Sequence, residues 1–392
     1  MKILYYSAHP NLRLATASGP GTHMREVINA FEENGNEVRT LIMGDYGRED
    51  EVPNSKNSNG SGIKSKIKPF VPAYLWQTLK DRNLLAYDRY AATALDEVVQ
   101  EFQPDLIYER GYFLMTSGIA IAKAHKIKHA LEMNAPYPEE KKSMEGTSWY
   151  DRIAKAKERE QVQGTDKLVV VSSDLKRYFV EGCEIREDKV LITPNAINSS
   201  FGKDANGKAI REELQLGEGL VVGFVGSIFP YHGVDALIDA FSKLNAPESK
   251  LLIVGDGEIL PELKILAKER GIQDRVCFTG SVLHSEVASY IDAMDITVMA
   301  TSNWYGSPVK IFEYGALGKA VIAPNNGPVN DVMEHLTDGF LITKKEELTD
   351  ALNELIQDSD LRNRLANDWQ KKVVSNHTWK QVGLDILGHV NS

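Results

Sequence analysis

Short apolar runs and helical stripes alternate along the chain. Ile3 to Ser7 reads as a strand, and Met24, Val27, Ile28 and Phe31 then fall at i, i+3, i+4 and i+7 on one helix face. Gly35 suits the helix C-cap, and Val38 to Ile42 reads as the next strand. Residues 44–72 interrupt the rhythm, and their segment from Pro53 to Gly62 is rich in turn formers. Strands resume at Asp105–Tyr108, Ala130–Glu132, Leu168–Val171 and Val190–Ile192. After a polar stretch to about residue 217 the same grammar restarts with the continuously apolar run Leu220–Gly226, a strand buried on both faces. A helix striped by Val234, Leu237, Ile238, Phe241 and Leu244 follows it, then strands at Leu251–Val254, Val276–Phe278 and Ile296–Met299. Alternation of this kind predicts βαβ units: an α/β chain of two doubly wound, Rossmann-like domains, with ligands at the carboxyl ends of the strands facing a cleft. The expected division is 1–195, 196–375 and a closing segment 376–392. The stripe Trp379, Val382, Ile386 and Val390 in that segment must be buried somewhere, and the first domain is one place for it.

Length agrees, since 392 residues exceed one compact core. A net charge of -10 argues against nucleic acid as a partner, because neutralising phosphates needs a basic surface. Two cysteines, Cys183 and Cys277, do not make a disulfide framework. The opening apolar run is too short for a signal peptide, and no stretch reaches the length of a membrane span. A cytoplasmic chain is expected. Lys64, Lys66 and Lys68 precede Phe70, Tyr74, Leu75 and Trp76, a mixture that suits either a solvated lid or peripheral contact with an anionic membrane face.

Glycines end several strands of the second half. Gly226 and Gly233 flank one strand-to-helix connection, Gly255-Asp256-Gly257 forms another, Gly280 follows a third strand, and Gly306-Ser307-Pro308 precedes a further helix. Such positions let backbone approach a ligand while the next helix offers unpaired N–H groups to an anion, so together they favour a phosphate-bearing ligand. No clustered His or Cys spacing suggests a metal.

These motifs carry a resemblance. The run Val221–Ser227 followed by His232–Phe241, the run Leu252–Glu258, the run Asp274–Val282, and Pro308–Ala316 with Gly327 resemble the donor domain of retaining family-four glycosyltransferases, in order and spacing over nearly all of residues 190–345. The first half is similar more loosely, through Gly19–Gly21, Thr22-His23 and Asn34–Val38. The resemblance implies the GT-B fold and metal-independent transfer of a sugar, with retention, from a nucleotide-sugar donor to a glycan, lipid-linked or small-molecule acceptor. A UDP-sugar is favoured over a GDP-sugar, as substrate and not as cofactor. It assigns the ribose hydroxyls to Glu313, the base edge to the backbone of Val282, and the donor phosphates to the loops at Gly19, Gly21, Gly226, Gly233, Gly255 and Ser307.

Departures from the family pattern matter as much. Many members carry an arginine and a lysine where this chain has Ser227 and His232. Each charge-assisted phosphate bond contributes about 1.5–3 kcal/mol, so losing two without compensation weakens donor binding by roughly two to four orders of magnitude. Lys310, one helical turn before Glu313, and Arg110, at a strand end of the first half, are the candidate replacements. A usual glutamate is replaced by Tyr305, and the histidine that contacts the transferred sugar is replaced within Leu131-Glu132-Met133-Asn134-Ala135-Pro136. Glu132 or Asn134 could face the sugar there, and Glu132 could equally be an ion-pair partner. A sugar-nucleotide epimerase of the same fold and a catalytically silent sugar-nucleotide-binding protein are the alternative readings.

Overall fold

The computed structural model describes residues 1–16, 19–47 and 72–392. Lys64, Lys66, Lys68 and Phe70 lie outside the described residues. Two compact units are present, one of residues 1–193 and 382–392 and one of residues 194–381.

Unit 1 is a six-stranded, all-parallel sheet: β1 (Lys2–Ser7), β2 (Glu37–Ile42), β3 (Leu106–Arg110), β4 (Lys128–Met133), β5 (Lys167–Val170) and β6 (Val190–Ile192), in the order β2-β1-β3-β4-β5-β6. The stripe read from the sequence is buried: Met24, Val27, Ile28 and Phe31 all face the core from helix Gly19–Glu33. A helix of 30 residues, Ala73–Phe102, ends where Gln103 turns left-handed. The sequence pattern did not reveal its length, because its buried face begins with the polar Gln77, Thr78 and Asp81 and becomes apolar only from Ala91 onward, so no apolar stripe runs along it. In helix Trp379–Asn391 the stripe Trp379, Val382, Ile386 and Val390 is buried, and Gly383 lets its backbone pass close to Ala30.

Unit 2 repeats the architecture with β7 (Val221–Val225), β8 (Lys250–Val254), β9 (Val276–Gly280), β10 (Ile296–Val298), β11 (Ala320–Pro324) and β12 (Phe340–Ile342), in the parallel order β12-β11-β10-β7-β8-β9. Continuous apolarity of the central strands is explained by two separate cores. Val222, Phe224, Leu251 and Ile253 pack into one, and Val221, Val225, Leu252 and Val254 into the other. Strands β11 and β12 were not read from the sequence. In each unit the chain reverses its winding beside the first strand: between β1 and β3 in unit 1, and between β7 and β10 in unit 2.

Candidate active-site residues in each unit

Helix Val309–Ala316 carries the central group of unit 2. Pro308 starts it, and Ile311, Phe312 and Tyr314 bury one face. The Tyr314 hydroxyl accepts a hydrogen bond from the β7 amide of Val225 (2.9 Å), and Trp369 Nε1 donates to the carbonyl of Ile311 (2.8 Å). Pinned at both points, the helix holds Lys310 and Glu313 one turn apart at the carboxyl end of β7.

The Lys310 ammonium lies 4.3 Å from the centroid of the Phe224 ring, over the position a Cβ of Gly226 would take, 3.0 Å away. It is buried and makes no hydrogen bond among the described residues. Burial lowers its pKa to about 8, against the opposing pull of Glu313. Burial in turn raises Glu313 to about 7, despite Lys310. His232 donates from Nδ1 to the carbonyl of Ser227, and burial, then the Lys310 charge, push it down to about 4. It is therefore neutral near pH 7 and cannot stand in for a missing cation in this state. Ser227 itself is exposed.

The glycines divide into those the fold needs and those that leave space. A Cβ on Gly255 would come within 2.0 Å of the carbonyl oxygen of Gly226, and Gly255 has φ +133°. Its missing side chain is thus required by the neighbouring loop. Gly226 (φ +143°) and Gly233 (φ +67°) also sit in the left-handed region. Ser307, which the resemblance places near the donor, is committed within the unit: its hydroxyl accepts from the Asn195 amide (2.9 Å), and its carbonyl accepts from the Asn195 side chain. Val282 is half-buried against the second core.

In unit 1 the end of β4 is a closed polar cluster. Glu132, 1% exposed, accepts hydrogen bonds from Arg110 Nη1 (2.7 Å), Tyr108 Oη (2.7 Å) and Asn134 Nδ2, and His23 Nε2 lies 3.1 Å from it. Burial alone would raise this carboxyl. His23, Arg110 and Tyr108 overcome that and hold it well below the usual carboxylate range. Glu132 is thus an ion-pair partner, one of the two roles open to it. Arg110, a candidate for the donor phosphates, is here the buried counter-ion of Glu132 instead, because two charges this deep must be paired. Asn134 is less buried than either. Of the loop glycines, Gly19 has open space at its Cβ position, whereas a Cβ on Gly21 would meet the Thr16 carbonyl at 2.3 Å. The sequence reading gave no role to Tyr108, His23, Phe224 or Asn195: His23 and Phe224 entered it only within the motifs that carry the resemblance, and Tyr108 only as the end of a strand.

Two family models cover most of the chain. Residues 207–372 match the family model described as glycosyl transferases group 1, and residues 17–201 match glycosyltransferase family 4. The alpha-D-kanosaminyltransferase of Streptomyces kanamyceticus is 26% identical over 246 residues, 61% of this chain and 63% of that protein. An uncharacterized glycosyltransferase of Haemophilus influenzae is 28% identical over 357 residues, 89% of this chain and 90% of that one. The chain spans 55–63% of the length of several curated relatives with a named activity. Among solved structures, Anabaena HepE in complex with UDP superposes with a TM-score of 0.73 at 15% identity, covering 100% of both chains, a likeness of fold.

Proposed function

Because the chain belongs to glycosyltransferase family 4 and has the GT-B fold, we propose that it moves a sugar from a nucleotide-sugar donor to an acceptor hydroxyl, with retention at the anomeric carbon and without a metal ion. One observation carries this reading. The buried ammonium of Lys310, which makes no hydrogen bond among the described residues, stands beside Gly226 at the reversal point of the unit 2 sheet. An unpaired charge at that depth is costly, and a diphosphate would supply the missing partner. Charge that builds on the departing diphosphate would be stabilised by the same ammonium. Glu313, one turn along, would receive the ribose hydroxyls. UDP is the favoured nucleotide, which the likeness to a UDP complex supports. The acceptor is a glycan, a lipid-linked sugar or a small molecule.

The test is thermal unfolding with UDP, GDP and their nucleosides in the presence of a chelator. A hundred-fold excess over the dissociation constant should add about 2.7 kcal/mol. Protection that appears only with magnesium or manganese would overturn the metal-free part. No protection by any nucleoside diphosphate would overturn the donor site.

A further inference from the structure

Unit 1 has a reversal point of its own. β1 and β3 pair with Ser7 opposite Arg110, and two residues beyond each of these stand His9 and Tyr112. Their rings meet there, with centroids 4.0 Å apart and planes tilted by 40°. This is the place where open α/β sheets bind ligands.

His9 is held in a single tautomer. Its Nδ1 accepts hydrogen bonds from the backbone amides of Asn11 (3.0 Å) and Leu12 (2.9 Å). Both partners can only donate, so Nδ1 carries no hydrogen, and in the neutral ring Nε2 must carry it. Among the described residues Nε2 makes no hydrogen bond. Burial, then the Arg110 charge, push His9 down to about 4, so the neutral ring is the relevant one.

The loop that presents His9 is clamped. Arg13 Nε pairs with Asp45 (2.8 Å), the Leu14 amide donates to the same carboxylate (2.8 Å), and Arg25 donates to the carbonyls of Leu14 and Thr16. Gly44 admits the Leu12 carbonyl where a Cβ would stand 2.1 Å from it. Capping this loop requires only an acceptor at Nδ1, and asparagine would serve as well. A fixed N–H at Nε2 is what histidine adds.

We infer that His9 reads a hydroxyl of the acceptor: Nε2–H donates to a neutral, sugar-type ring seated in the unit 1 crevice beside Tyr112. The inference rests on the glycosyltransferase reading. A neutral ligand fits because the cation nearby, Arg110, is already neutralised by Glu132. A pyranose offers hydroxyls to the donor and C–H groups to an aromatic face. In this tautomer His9 cannot act as a base toward the acceptor, since Nε2 is already protonated.

The experiment follows the histidine ring signals of the ¹⁵N-labelled protein at pH 7. The probes are methyl α-glucoside, α-galactoside and α-mannoside up to about 100 mM, and UDP is titrated separately. His9 should show the Nε2–H tautomer and shift saturably with at least one glycoside. His9→Asn keeps an acceptor for the two amides and removes Nε2–H. It should bind that glycoside about two- to tenfold more weakly while UDP protection and melting temperature stay at parent values. An Nδ1–H tautomer, no shift with any glycoside, or parent affinity in His9→Asn would each overturn the inference. Loss of the donor reading would show independently, as absence of UDP protection in the parent. If His9→Asn does not fold, the tautomer and the shift in the parent decide alone.

Discussion

Lys310 holds its ammonium 4.3 Å from the Phe224 ring centroid and makes no hydrogen bond among the described residues, so an aromatic face stands where an anion could pair with it. A ring quadrupole is a weak counter-charge, contributing about 0.5–2 kcal/mol, less than a charged phosphate would. Arrangements of this kind favour an anionic ligand over the empty site.

Lys310→Ala should weaken UDP binding by about 1.5–3 kcal/mol and leave uridine binding nearly unchanged. Glu313→Ala should weaken both alike, because a ribose contact is common to them. Isothermal titration of the four pairs separates a donor site from a helix surface. Parent affinity for UDP in Lys310→Ala would mean that other groups hold the phosphates.

UDP affinity should peak between about pH 7 and pH 8. Lys310 sits near 8 in the free protein, and a bound diphosphate favours its ammonium form. Above pH 8 binding must therefore take up a proton, and affinity falls by up to about tenfold per pH unit. Below pH 7 Glu313, raised to about 7, gains a proton and loses one acceptor site for the ribose. Calorimetry at pH 8.5 in buffers of different ionisation enthalpy should register the uptake. A flat affinity from pH 7 to 9.5 would exclude Lys310 as the titrating group.

Glu132→Ala should destabilise unit 1 by about 3–5 kcal/mol, since it leaves the Arg110 charge buried and unpaired. Because Glu132 titrates below its ordinary value in the folded protein, its stabilisation is complete above roughly pH 5. The gap between parent and variant should close as pH falls from there. Asn134→Ala removes one hydrogen bond and should cost only about 1 kcal/mol. If Asn134 faces the transferred sugar, this variant lowers the transfer rate with UDP affinity unchanged. Denaturant unfolding across pH and steady-state transfer assays make the two readings.

Gly255→Ala should destabilise unit 2 by about 2–4 kcal/mol, because it combines a left-handed backbone with a Cβ driven against the Gly226 carbonyl. Gly19→Ala, with open space at the same atom, should be nearly silent in stability. A melting temperature for Gly255→Ala equal to the parent's would refute the steric account.

Apolar runs and helical stripes determined the unit 1 sheet and four of the six strands of the unit 2 sheet, because a strand buried on two faces and a helix buried on one leave different periods in the chain. The i, i+3 spacing of Lys310 and Glu313 likewise determined that they share a helix face. Strands Ala320–Pro324 and Phe340–Ile342 went unread. Tertiary structure alone decided what the polar groups do. Glu132 could have been a sugar-facing group or a counter-ion, and the choice fell to Arg110, Tyr108 and His23, which reach it from β3 and from the first helix. Gly255 and Ser307 looked like ligand-loop residues, yet one is needed by the Gly226 carbonyl and the other is tied to Asn195, 112 positions away. The tautomer of His9 is set by two amides of a folded loop. Periodicity records which side of an element meets water. It does not record which partner, distant along the chain, arrives on the other side, and that partner decides charge, tautomer and role.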